Sequence, residues 1–290
     1  MLVVGMAYQM GMIPVRATAI EEAIRLNGVA VEMNASAFTL GRRIVADPDL
    51  LTELSASATV VEPSAPTPTR VVQALLGTVP DPGADLDEIL RWRIPELIAW
   101  GDEEYARRYT STIAAVRSSE QESGVFGTPL SSVAARHLFK LMAYKDEYEV
   151  ARLALRGDME AQAKSRFGPN ATLSYELHPP SLKKVGVKKK ISIPSSVAQK
   201  TFASLLKSKK VRGTRLDPFG RSEERRVERE LIIEYEQLLV RLRSELRPDN
   251  VETLASIADL ADQIRGFDEI KLGNVARYRE QVAAALTALG

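Results

Sequence analysis

Between Ser222 and Leu246, apolar side chains recur at Val227, Leu231, Tyr235, Leu238, Leu242 and Leu246. Spacings of four and three put them on one face of a helix and leave the other face to charged residues. Such a stripe has to be buried against another element, so it commits this part of the chain to helix packing. Ser222 suits the N-cap, and Glu223 and Glu224 suit the positive end of the helix dipole. Pro248 closes the run, and Asp249 and Glu252 are expected to cap the next helix, which carries Leu254, Ile257, Ala261 and Ile264 and stops at Gly266. A last helix presents Val275, Tyr278, Val282, Leu286 and Leu289. Three successive amphipathic helices with short joints predict an antiparallel bundle.

Helical patterning also holds upstream. Asp85 to Ser119 reads as one helix or two with a kink near Pro95, and Leu130 to Leu155 as a further helix. Alternation over Thr172–Leu177 predicts a strand closed by His178-Pro179-Pro180, with a second short strand at Ile191–Ile193. Between Glu62 and Gly83 five prolines, at 63, 66, 68, 80 and 82, forbid continuous helix around an apolar patch from Val71 to Leu76, and this stretch reads as an interdomain linker. The first 45 residues read as three short helical pieces. Thr18 with Glu21 predicts a capping box, Ile20, Ala23 and Ile24 form a stripe, and Asn27-Gly28 supplies the stop. A further run from Val31 carries Met33, Ala37 and Phe38 ahead of Gly41.

The composition closes several chemical routes. The chain of 290 residues has no cysteine, which excludes disulfides, thiolate zinc sites and cysteine-bound iron–sulfur clusters in it. It has two histidines, His137 and His178, too few for a histidine metal site or an ordinary triad without unusual partners. The net charge of +1 carries no message about partners, so any such signal must be local. The apolar start, MLVVGMAYQMGMIPV, lacks a basic flank before Arg16 and is shorter than the roughly 20 residues that span a bilayer. Neither a signal peptide nor a membrane helix is expected, which leaves the cytoplasm as the expected compartment.

One local charge signal stands out. Ser181–Arg215 contains Lys188, Lys189, Lys190, Lys209, Lys210, Arg212 and Arg215 among eleven cations, with no Asp or Glu. These residues are the candidate anion- or partner-binding set, for an acidic protein, for phosphates or for nucleic acid. Phe202 is the one aromatic residue there, which disfavours single-strand stacking, and an ordinary solvated face or linker is the competing reading. Asp217-Pro-Phe-Gly220 suits a type I turn, with Arg215 placed to pair with Asp217 or to meet a phosphate. Tyr144 and Tyr148 are expected on one packed helical face, with Lys145 and Glu149 pairing beside them. His137 is expected to be partly buried and hydrogen-bonded, His178 to be a turn residue, Trp92 and Trp100 to be core, and Arg265 to bond the carbonyls of a helix end.

Three stretches resemble a known family. Gly5–Gln9 (GMAYQ), Pro14, Ala23–Asn34 (AIRLNGVAVEMN), Ala37-Phe38 and Gly41-Arg42 resemble the closing helices of the gamma-type domain in 2-oxoacid:ferredoxin oxidoreductases. Leu138–Arg152 (LFKLMAYKDEYEVAR) and Arg212–Gly220 (RGTRLDPFG), the latter followed by Arg226–Arg229 (RVER) and Asp262–Gly266 (DQIRG), resemble the C-terminal extension of fused bacterial indolepyruvate ferredoxin oxidoreductases. The resemblance implies oxidative decarboxylation of an aryl pyruvate to an acyl-coenzyme A with reduction of ferredoxin. It also implies thiamine diphosphate and an iron–sulfur cluster in the intact enzyme and neither in this chain, because the regions that would hold them have no counterpart here. No catalytic, cofactor or metal residue is therefore assigned. The expected partners are the remainder of the oxidoreductase, in the same polypeptide or as a separate subunit, and ferredoxin, in an oligomer; nucleic acid is disfavoured. The expected architecture is mainly α: residues 1–45 form the helical tail of an interrupted α/β domain, 46–83 a proline-rich linker, and 84–290 a helical-bundle domain with a small β element. The first 45 residues would then lack the sheet they pack on, as expected of a truncated gene, a misplaced start or a split subunit. A stand-alone helical scaffold or interaction protein is one alternative, and a phosphate or nucleic-acid binder acting through the Lys-rich segment is another.

Overall fold

The structure, a computed structural model, describes residues 1–57, 67–156, 159–177 and 191–289. It is mainly α, with 14 α-helices and one two-stranded antiparallel sheet among the described residues. The chain divides into two compact units, Met1–Ser64 and Ala65–Gly290. No described helix is long and apolar enough to cross a membrane.

The first unit contains α1 (Leu2–Gln9), α2 (Ala17–Asn27), α3 (Val31–Ala46) and α4 (Asp49–Ser57). Its tightest contact is the crossing of α1 on α3 at two glycines. A Cβ on Gly5 would lie 2.1 Å from the Phe38 carbonyl oxygen, and one on Gly41 would lie 2.0 Å from that of Leu2. Only glycine permits this approach, so Gly41 is the seat of a helix crossing and α3 runs on through it. Phe38 is fully buried beside the crossing, and Arg42 lies over the Tyr8 ring. Gly28 ends α2 in the left-handed conformation, as expected. The capping box does not form: Arg16 is the N-cap and makes no side-chain cap bond, because Thr18 already sits inside the helix.

The second unit has one large core. It is built by α5 (Arg70–Leu76), α6 (Gly83–Trp100), α7 (Glu103–Glu122), α8 (Pro129–Met142), α12 (Glu223–Ser244), α13 (Val251–Asp259) and α14 (Asp268–Leu289). The expected linker is shorter than its prolines imply, since Val72, Leu75 and Val79 are core residues and Thr69 caps α5 by accepting from the Val72 amide at 3.4 Å. Pro95 is accommodated within α6, and the break before α7 comes at Gly101-Asp102 instead. The three C-terminal helices share this core with α6–α8 rather than closing a bundle of their own. Asp249 and Glu252 do not cap α13. Asn250 holds that position, and its side chain turns back to accept from the Arg247 amide and donate to the Glu245 carbonyl, both at 2.9 Å.

The helix α8 packs against α6, α7, α12 and α13. Ala134 and Ala135 let its neighbours approach closely, and the Tyr109 hydroxyl donates to the Ala135 carbonyl at 3.0 Å. The expected helix from 130 to 155 is divided. Residues 143–146 turn, and α9 (Glu147–Leu155) starts with Asp146 as a cap that accepts from the Glu149 amide at 2.8 Å. Tyr144 and Tyr148 are both buried but do not share one helix face, and Glu149 pairs with Arg152 rather than Lys145. Beyond lie α10 (Met159–Phe167), the hairpin of β1 (Ser174–Leu177) and β2 (Ile191–Pro194), and α11 (Ser195–Lys207). The hairpin and α11 form a small second cluster on α9 through Ala151, Ala198 and Phe202, with Tyr175 edge-on to Phe202 at 5.1 Å.

The start of α8 is fastened by a buried carboxylate. Glu120, fully buried, accepts from the amides of Leu130 at 2.8 Å and Ser131 at 2.9 Å, and from the Ser131 hydroxyl at 2.6 Å. Arg117 supplies the counter-charge at 3.4 Å and also donates to the carbonyls of Asp81 and Gly127. Glu120→Ala would leave two buried helix-start amides and the Ser131 hydroxyl unpaired and remove the buried counter-charge of Arg117, and it is expected to cost about 3–5 kcal/mol, measured by urea unfolding. In the first unit, Gly41→Ala is expected to part α1 from α3, read as rapid hydrogen exchange at the amides of residues 5–9.

Candidate functional site

A cleft of about 840 Å³ in the second unit collects most of the described candidate cations. Trp100, Tyr105, Tyr144, Ile232 and Ile233 give it an apolar lining, while Arg108, Lys209, Lys210, Arg212 and Arg229 supply positive charge against the carboxylates of Asp102 and Glu104. It forms at the break between α6 and α7. Helix α6 ends with unpaired carbonyls, which attract donors. Lys209 donates to the carbonyls of Ala99 at 2.9 Å and Gly101 at 3.1 Å, and Arg212 donates to that of Trp100.

Arg212 is the centre of the site. Its guanidinium lies 3.8 Å from the centroid of Trp100 and 5.3 Å from that of Tyr148, and it meets Asp146 at 2.7 and 2.8 Å. Ring faces and a carboxylate together compensate a cation removed from water. Burial pushes the Asp146 carboxyl above its ordinary range, with Arg212 pulling it back. Burial likewise pushes the Tyr144 hydroxyl up to about 12 and draws the Lys209 ammonium below its ordinary value, an effect that neighbouring Arg212 adds to. Trp100 stacks on Tyr105 at 4.8 Å and donates its indole N–H to the Tyr144 carbonyl at 3.0 Å. Asp217 closes the turn from behind, accepting from the amides of Gly213 at 2.7 Å and Phe219 at 3.0 Å and from the Tyr148 hydroxyl at 3.2 Å.

The candidate cations are thus divided. Lys209 and Arg212 point inward and are consumed by α6 and Asp146. Lys210 lines the cleft and is exposed. Arg215 is exposed and does not pair with Asp217, which is taken by Tyr148 and two amides. Lys188, Lys189 and Lys190 lie outside the described residues, as does His178. His137 is buried and meets Asp259 at 2.7 Å, and Trp100 is core, whereas Trp92 is half-buried. Arg265 bonds the Asp262 carbonyl at 2.9 Å, as expected. Among the described residues no three His, Asp or Glu side chains are grouped to hold a metal ion.

Sequence reasoning missed Asp146, Trp100 with Tyr105, Arg108 and Arg229 as parts of this site. Asp146 was within reach, because Asp three residues before Glu149 at a helix start is a capping signature. Arg108, bonded twice to Glu236 at 2.6 and 2.7 Å, carries no local signal, since the two are far apart in the chain.

A family model matches residues 86–284, a span that contains the cleft and nearly all of the large core. The chain belongs to the family of unknown function DUF6537. No curated protein and no solved structure matches it. The region matched by the DUF6537 model begins within α6 and ends within α14, so the Arg212 knot lies inside it. Arg212→Ala would leave Asp146 buried without its partner and uncover Trp100, and it is expected to destabilise the fold by about 3–5 kcal/mol by urea unfolding.

Proposed function

We propose that this chain is an assembly or docking region of an indolepyruvate:ferredoxin oxidoreductase, with thiamine diphosphate and the iron–sulfur cluster held elsewhere in that enzyme. The observation that carries the reading is how the stretches resembling the C-terminal extension are used. Tyr148 of the Leu138–Arg152 stretch bonds Asp217 of the Arg212–Gly220 stretch at 3.2 Å, and Arg212 reaches back to Asp146. Arg229 of the following stretch donates to the Gly220 carbonyl at 2.8 Å. Segments distant in the chain therefore meet as a fold-building knot, and their charged groups are used to hold helices together. This supports a role in assembly rather than in turnover.

What faces solvent is suited to contact. Lys210 lines the first cleft from an exposed position beside an apolar wall, and an acidic electron carrier is attracted by such a cation. The first unit exposes Val3, Met12, Leu26 and Met33, side chains that ordinarily seek cover.

The test is purification of the native protein from its source with an antibody against residues 222–289. The preparation is expected to contain thiamine diphosphate by mass spectrometry and to reduce ferredoxin when given indolepyruvate and coenzyme A. The recombinant 290-residue chain alone is expected to do neither. A native preparation without thiamine diphosphate and without keto acid oxidation would overturn the proposal and favour a stand-alone scaffold.

A further inference from the structure

A second cleft of the same unit, about 580 Å³, opens between α6, α8, α12 and the joint that leads into α14. Most of its charges are matched. Lys140 donates to the carbonyls of Ala261 at 3.2 Å and Asp262 at 2.7 Å, Arg265 pairs with Asp262 at 2.5 Å, and Lys271 pairs with Glu228. Three cations are not matched. Arg93, Arg136 and Lys145 line the cleft with no carboxylate and no hydrogen-bond acceptor for their side chains among the described residues. Arg93 is the most constrained of them. Its guanidinium is held over the Phe139 ring, 4.4 Å from the centroid, and its Nε is buried without an acceptor. Glu224 is the lining carboxylate that makes no hydrogen bond among the described residues, and it acts on Arg225. Over the whole lining, six Lys and Arg side chains stand against the three carboxylates of Glu224, Glu228 and Asp262, an excess of three positive charges. The remaining wall is apolar, with Ile264 and Phe267, the latter 70% exposed at the joint.

We propose that this cleft binds a phosphate monoester with an apolar or aromatic body. A phosphate monoester carries nearly two negative charges at neutral pH, which this excess of positive charge attracts. A guanidinium fixed against a ring presents its remaining N–H groups in a preset fork, the geometry that suits phosphate oxygens. Arg136 and Lys145 add charge from the rim, and the exposed ring of Phe267 receives the apolar body. The volume is that of a small-molecule site. This site is independent of the oxidoreductase reading, since it is argued from charges within the second unit alone.

The full chain would be titrated calorimetrically with phenyl phosphate, inorganic phosphate and benzoate. Phenyl phosphate is expected to saturate one site and to bind more tightly than either of the others. Arg93→Gln is expected to weaken it by about tenfold or more, the effect of removing one charged hydrogen bond. Arg136→Gln, at an exposed position that does not hold the fold, is expected to weaken it several-fold with an unchanged melting curve. The proposal is overturned by the absence of saturable binding at millimolar phenyl phosphate, or by binding that neither variant changes. Benzoate binding as tightly as phenyl phosphate would also overturn it, by removing the preference for a dianion.

Discussion

The carboxylate of Glu120 sits where the second unit has least freedom to compensate. A helix start exposes amides that must be satisfied, and α8 begins inside the protein where no solvent can do so. Glu120 reaches across from the last turns of α7 and takes two of those amides and the Ser131 hydroxyl, with its own charge held by Arg117. That one anchor sets where α8 begins relative to α7. Because α6, α12 and α13 all pack on α8, their positions follow from it. The same logic recurs along the core with neutral donors: Tyr109 on Ala135, Tyr235 on Ala258 and Trp100 on Tyr144 each place an aromatic body in the core and its polar tip on a carbonyl.

The helices were largely legible in the sequence because their apolar residues repeat at helical spacing, and Ser222 and Gly28 mark boundaries through side-chain or backbone chemistry that is local. What was not legible is tertiary in origin. Gly41 follows the apolar run from Val31 without a role of its own in the sequence, yet it serves a crossing with α1 that no pattern around residue 41 reveals. The apolar patch at 71–76 reads as an interruption in a linker, yet its burial depends on α6 and α7, which come later in the chain. Thr18 and Asp249 offer good capping chemistry at positions the helices do not use, because packing shifted each helix start by a residue or two.

The basic segment shows the same division in electrostatic form. A run of lysines and arginines without acidic neighbours, as in residues 181–215, reads as a solvated or partner-facing surface. In the fold, the C-terminus of α6 offers carbonyls and a partial negative charge beside two aromatic rings, and Asp146 stands behind them. That combination draws Lys209 and Arg212 inward, whereas Lys210, the next residue to Lys209, lines the cleft from an exposed position. Net charge per segment therefore overstates the charge available to a partner, and the available part is set by which helix ends lie nearby.

Tyr144 lines both clefts. It lies in the short turn between α8 and α9, its ring edge-on to Trp100 at 5.0 Å, its carbonyl taken by the Trp100 indole and its neighbour Lys145 facing the second cleft. A turn held by bonds at both ends transmits displacement instead of absorbing it. Movement of Arg212 on one side would act on Trp100 and Asp146, and through them on the backbone that presents Tyr144 and Lys145 to the other. The two clefts thus share a wall whose geometry is set by the Arg212 knot. The residues that build the fold here also shape both of its surfaces.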